Sequence, residues 1–290
     1  MSGPTRILRA VGHAAKALTA VGAVAVIGVA ASPPASAAPQ PPAPAASMLQ
    51  ACQQGDIILI AARGSGDLAN SRYGLGETMW SAYASMYDEV ANHGFNGQKL
   101  RVVAVQYDAA SAWNLVYNPP AFFASLAGGI NATRRLLDEY RSHRECDGLG
   151  VMLAGYSQGA MIMHRILHDP AALAGVNVWS PLLVADGDRV AYDTMNHWGG
   201  ADPAKPGVGQ YWPWISGSNP ARFTIPDVRD VCAPQDAVCS PELGAVPWWC
   251  LTSPACVAAW QSGTLAGEIW VHTQYANSTE LDRAARAIPR

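Results

Sequence analysis

Charge is scarce in this chain. Only 14% of its 290 residues are Asp, Glu, Lys or Arg, and 19 cations against 22 anions give a net charge of −3. The first 37 residues hold no acid. Without that stretch, whose cations are Arg6, Arg9 and Lys16, the remainder carries 16 cations and 22 anions and has no basic run. A mildly acidic body of this kind excludes nucleic acid as the main partner. Beyond the amino terminus no apolar run approaches the roughly 20 residues of a spanning helix. No Cys-x-x-Cys pair exists and the histidines are scattered, which argues against zinc. Neither a metal nor an organic cofactor is expected. No internal repeat is visible. What the chain does have is apolar residues, 50% of the total, with 27 Gly and 21 Pro in clusters rather than in a period. That excludes disorder and leaves length for one large α/β domain or two small ones.

The amino terminus reads as an export signal. Met1 to Lys16 is a cationic leader, and Leu18 to Ala30 is an uncharged, mostly apolar run of 13 residues. Ala35-Ser36-Ala37 follows as a small-x-small cleavage site, with the cut placed after Ala37 or Ala38. The run is short for an anchor, so no stable membrane anchor is expected. Residues 38–50 start with alternating Pro and Ala and read as a flexible or polyproline-like spacer. The catalytic body is then 51–290, secreted to the exterior or the cell envelope and read as a monomer.

Six cysteines, at 52, 146, 232, 239, 250 and 256, all follow the signal, an even number suited to an oxidising compartment. They allow 15 pairings. Cys232 with Cys239 and Cys250 with Cys256 are close in the chain and suggest local staples, which would leave Cys52 for Cys146.

Strand and helix patterns alternate. Strands are predicted at Asp56–Ala62, Leu100–Tyr107, Leu149–Ala154, Val176–Ala185 and Arg222–Cys232. Helices are predicted at Glu77–Asn92, Phe122–Ser142, Gln158–His168 and Thr279–Ile288. The fold class is α/β, a single domain with a central, mostly parallel sheet and helices on both faces.

Gly155-Tyr156-Ser157-Gln158-Gly159 lies between an apolar strand and a helix. A sharp strand-to-helix turn there would strain Ser157 and project its hydroxyl, with glycines where side chains would collide. The amide of Gln158 would stand at a helix amino terminus, able to bind a developing oxyanion. A serine nucleophile needs a base, and in this arrangement the acid and then the histidine follow it in the chain. His164 and His168 ride the helix leaving Ser157 and read as packing residues. His197 sits in a Trp-Gly-Gly loop. His272 follows the candidate acids Asp227, Asp230 and Asp236 and is the best base. Asp227 and Asp230 could instead pair with Arg229 or Arg222. Asp236 lies between Cys232 and Cys239, where a clamped loop would hold a carboxylate rigidly against an imidazole.

With these motifs in order, the chain resembles the cutinase family of secreted serine esterases, in its longer actinobacterial form. The resemblance rests on Gly155-Tyr-Ser-Gln-Gly159, Cys232-x-x-x-Asp236-x-x-Cys239, His272-x-x-Tyr275 and Ala62-Arg-Gly-Ser65, and covers roughly residues 50 to 290. It implies an α/β-hydrolase with Ser157 as nucleophile, Asp236 as acid and His272 as base. Ser65 and Gln158 would form the oxyanion hole, and Cys52–Cys146 would be the long disulfide. The implied partner is an ester substrate, fatty acyl, lipid or polyester. Phospholipids, cell-wall mycolates or acetylated polysaccharide are alternatives on the same machinery, and a non-catalytic lipid- or polymer-binding protein is the rival outside it. The chain departs from compact cutinases in the 35 residues between Asp236 and His272 and in seven Trp between 198 and 270. Trp212, Trp214, Trp248 and Trp249 are therefore expected to line an acyl-binding wall or lid.

Overall fold

The run from Ile57 to Ala62 (β1) is apolar at every position because both of its faces are covered. Ile57, Leu59 and Ala61 join one core, and Ile58, Ile60 and Ala62 the other. The computed structural model describes residues 40–93, 95–114, 118–211, 213–242 and 264–289. The expected signal, Cys250, Cys256, Trp212, Trp248 and Trp249 lie outside these, as does the side chain of Trp214. Six further strands follow: β2 (Leu100–Ala104), β3 (Gly150–Tyr156), β4 (Asn177–Val178), β5 (Leu182–Val184), β6 (Asn196–Trp198) and β7 (Arg229–Val231). They line up as β2-β1-β3-β5-β7-β6, with β4 beside the start of β3, and every pair is parallel.

Six principal helices surround the sheet: α1 (Met48–Gln54), α2 (Gly76–Asn92), α3 (Pro119–Ser142), α4 (Gln158–Leu167), α5 (Thr264–His272) and α6 (Thr279–Arg286). On one face α1, α3 and α4 bury Met48, Leu126 and Ile162. On the other, α2 and α6 bury Met79, Met86, Leu281 and Ala284. This is the two-sided α/β architecture expected from the alternating pattern.

The differences from the sequence reading have local causes. The stretch predicted as one strand over Val176–Ala185 is two, because Ser180 is left-handed at φ 45° and Pro181 has no N–H for a ladder. Of Arg222–Cys232 only β7 pairs, since Pro226 and Asp227 (φ 59°) bend the chain before it. The edge beside β7 is β6, three residues ending before Gly199-Gly200 and too short to give a strand signal. Residues 40–47, part of the expected flexible or polyproline-like spacer, are docked. The Pro42 carbonyl accepts from Tyr83 Oη at 3.2 Å, and the Ala45 amide donates to the Val102 carbonyl at 2.8 Å, beside the exposed edge of β2. Ser47 then caps α1 through its hydroxyl. Disulfides Cys52–Cys146 and Cys232–Cys239 are formed. Among the described residues no helix is long and apolar enough to cross a membrane.

Candidate active site

β3 runs straight into α4 with one residue, Ser157, at the corner. Its backbone is forced to φ 57°, ψ −119°, a conformation that costs a non-glycine residue on the order of 1–3 kcal/mol. The glycines on either side are sterically required. A Cβ on Gly155 would lie 2.1 Å from the Gly159 carbonyl oxygen, and one on Gly159 would lie 2.2 Å from that of Ala62. The Ser157 amide is held by the Val184 carbonyl of β5 at 2.8 Å. The hydroxyl thus stands at the carboxyl end of the sheet, beside the first turn of α4.

Two other segments meet it there. α5 ends at His272, whose Nε2 is 2.9 Å from Ser157 Oγ. His272 Nδ1 is 2.9 Å from Asp236 Oδ2. With its proton on Nδ1, held by the carboxylate, the imidazole leaves Nε2 free to accept the serine proton. Asp236 has no exposed surface. Burial pushes its carboxyl up, but the charge and hydrogen bond of His272 and the amides of Cys239 and Val238 outweigh burial and hold it below the usual carboxylate range. The loop that carries it is closed by Cys232–Cys239.

Residues 51–249 match the family profile described as Cutinase. The chain belongs to the cutinase family. It is therefore a serine carboxylic ester hydrolase with an α/β-hydrolase fold. Among solved structures it is similar to a cutinase-like protein from Cryptococcus sp., at 18% identity and a TM-score of 0.50, over 81% of this chain and 91% of that one. It is also similar to Trichoderma reesei cutinase at 19% identity and a TM-score of 0.42, over 80% and 74% of the two chains. At 18% identity the likeness to the Cryptococcus protein is one of fold. No curated protein matches the sequence.

In this chain the loop after β1 lies against the serine corner. A Cβ on Gly64 would sit 2.6 Å from the Tyr156 ring, and the Arg63 carbonyl faces Gly159. Ser65 Oγ is buried with no hydrogen-bond partner among the described residues, so it can donate to a new anion. The loop is braced by Arg63, which is 2% exposed and donates to the Asp67, Val105 and Tyr107 carbonyls. Asp67 accepts the Gly64 amide at 3.0 Å, and burial pushes its carboxyl up. The Gln158 side chain is committed elsewhere, accepting from Ser125 Oγ and donating to the Phe122 carbonyl, so only its amide is available to an oxyanion.

The other histidines and acids have separate partners. His164, fully buried, pairs with Asp186 at 2.6 Å and stacks on His168. Asp230 is engaged by Arg189 at 2.8 Å and His197 at 3.0 Å. It is thus not the partner of Arg229, whose guanidinium donates to the carbonyls of Ser180, Ala284 and Ala285. Trp198 packs against the core, the reading of a capping tryptophan rather than of an acyl wall. Among the described residues no cluster of His, Cys, Asp or Glu could hold a metal.

Two features escaped the sequence reading. His272 ends a helix, whereas its surroundings read as loop, because Gly267 and β-branched residues weaken a nine-residue segment. Tyr156, the variable position of the Gly-x-Ser motif, donates to the His272 carbonyl at 2.6 Å and lies over its ring with centroids 5.2 Å apart.

Proposed function

We propose that Ser157, His272 and Asp236 act as nucleophile, base and acid in acyl transfer from a fatty acyl, lipid or polyester ester to water. The observation that carries this reading is the unbroken chain from Ser157 Oγ to His272 Nε2 at 2.9 Å, and from Nδ1 to Asp236 at 2.9 Å. Ser157 Oγ attacks the ester carbonyl as its proton passes to Nε2. The Gln158 amide and Ser65 hold the oxyanion, and the imidazolium returns the proton to the leaving alkoxide. Water, activated by the same nitrogen, then releases the acid and frees the serine. No step needs a cofactor.

An apolar acyl group is favoured by exposed apolar side chains on the segments that carry the site. Leu68 (69% exposed) follows β1, Trp113 (45%) follows β2, and Trp270 (64%) precedes His272 on α5. The first two lie on segments leaving the carboxyl end of the parallel sheet, where ligands of such folds bind, the third lies two residues before the base, and exposed apolar surface marks contact with an apolar partner. The chain would act as a monomer outside the cell after loss of residues 1–37, with 38–50 leading into the catalytic body.

Mass-spectrometric labelling with an organophosphonate should modify Ser157 and no other residue, and Ser157→Ala should reduce turnover to near background. A panel of esters of rising chain length, with a polyester, a phospholipid and an acetylated polysaccharide, should show the long-chain or polymer ester fastest. Preference for the acetylated sugar would replace the lipid reading with the polysaccharide one. An unlabelled, inactive protein would leave only binding.

A further inference from the structure

Asp236 is reached by more donors than a carboxylate needs for mere burial. Oδ1 accepts the amides of Val238 at 2.6 Å and Cys239 at 3.0 Å, so its place is set by the disulfide-closed loop. Oδ2, the oxygen nearest His272 Nδ1, has no backbone donor among the described residues. It accepts instead from the hydroxyl of Tyr275 at 2.8 Å. That hydroxyl in turn accepts the Ala233 amide at 2.9 Å, and its side chain is 3% exposed. One oxygen therefore ties together the start of the acid loop, the acid itself and the chain three residues beyond the base.

We propose that Tyr275 is a positioning residue of the catalytic acid: its hydroxyl fixes Oδ2, and with it the plane of the carboxylate, toward His272. The inference rests on the reading of Asp236 and His272 as acid and base. An Asp side chain rotates broadly about its last bond, and amides that fix Oδ1 still let Oδ2 swing. The short 3₁₀ turn Tyr275–Asn277, separated from α5 by two residues, brings the phenol edge-on to the imidazole. A packing role alone would be met by phenylalanine, since the ring contacts with Tyr156 and His272 need no oxygen.

The hydroxyl also shares the carboxylate's charge. A hydrogen bond donated to Oδ2 draws electron density from the oxygen that stabilises the imidazolium. Removing it leaves more charge for His272, and strengthening it leaves less. Other groups bear on the pair as well: Tyr156 stacked on the imidazole, Asp67 from the loop after β1, and Glu268 one turn earlier on α5. Asp230, within β7, acts on Tyr275 itself. None of these changes when only the Tyr275 hydroxyl is altered.

The test is Tyr275→Phe, with 3-fluorotyrosine at the same position as a second variant that keeps the shape and makes a stronger donor. For Tyr275→Phe, kcat on a short soluble ester should fall about tenfold, or ~1.4 kcal/mol, with KM within about twofold of the parent. The acid limb of the kcat/KM profile should move to higher pH in Tyr275→Phe and to lower pH in the fluorotyrosine variant. If Tyr275→Phe fails to fold, the fluorotyrosine displacement alone decides. Limbs that stay in place, or move in the same direction, overturn the inference while organophosphonate labelling of Ser157 still upholds the triad. An enzyme that the phosphonate does not label overturns both.

Discussion

Three acids follow Ser157 within ten residues of one another, and the surroundings of each set what its removal should do. Asp236 faces His272 and is fed by two amides. Asp230 neutralises Arg189, which is fully buried. Asp227 is exposed at a left-handed bend. Asp236→Asn should therefore lower kcat by several orders of magnitude and the melting temperature far less than proportionately, because the amide holds the wrong imidazole tautomer. Asp230→Asn should do the reverse: an arginine deprived of its buried carboxylate costs about 3–5 kcal/mol, while turnover per folded molecule persists. Asp227→Asn should leave both nearly unchanged. Turnover and thermal midpoint measured on all three check the assignment, and a turnover loss greatest in Asp230→Asn would break it.

At the scale of elements, the two disulfides do different work. Cys52–Cys146 spans 94 residues and joins α1 to the turn before β3, so in the loop-entropy model it is worth about 4–5 kcal/mol. Cys232–Cys239 spans seven residues, restricts the unfolded chain far less, and instead closes the loop that carries Asp236. Replacing the first pair by serine should lower the melting temperature by many degrees and spare the turnover of folded enzyme. Replacing the second should lose activity out of proportion to stability. Equal stability losses would remove the distinction. The long pairing and the acid loop were legible because cysteines and an aspartate at fixed spacing leave a mark in the sequence. The same is true of β1, β3 and α4, whose apolar runs are long. What the sequence did not reveal is where the chain relies on tertiary partners. β6 is only three residues, Asn196-His197-Trp198, completed by β7. Residues 40–47 carry only a Pro/Ala pattern, yet they dock through Tyr83 and Val102. Tyr156 was merely a variable position in a motif until the fold placed it against His272.

Across the whole molecule, two histidines away from Ser157 should govern how stability varies with pH. His164 is enclosed completely. Burial pulls its proton affinity down, but the charge and hydrogen bond of Asp186, with Asp188 and Asp193 behind, outweigh burial and raise it. His197 is raised chiefly by its hydrogen bond to Asp230. A histidine that binds its proton more tightly when folded adds stability that is complete below the unfolded value near 6.5 and is lost as pH rises through the folded value. Asp186, raised by burial, acts in the same sense. The carboxylates that oppose this trend, Asp88, Asp169 and Asp236, are all lowered. Their stabilisation is already complete above about pH 4 and is lost only in stronger acid. The melting temperature should therefore rise from strong acid to a maximum on the acid side of neutrality, then decline as pH climbs above about 6.5 and through the raised folded values of the two histidines. His197→Gln should flatten that decline in part, and His164→Gln with His197→Gln should flatten it further. Scanning calorimetry of the parent and both variants across this range decides the matter. A decline of the same steepness in the double variant would mean that other groups release the protons.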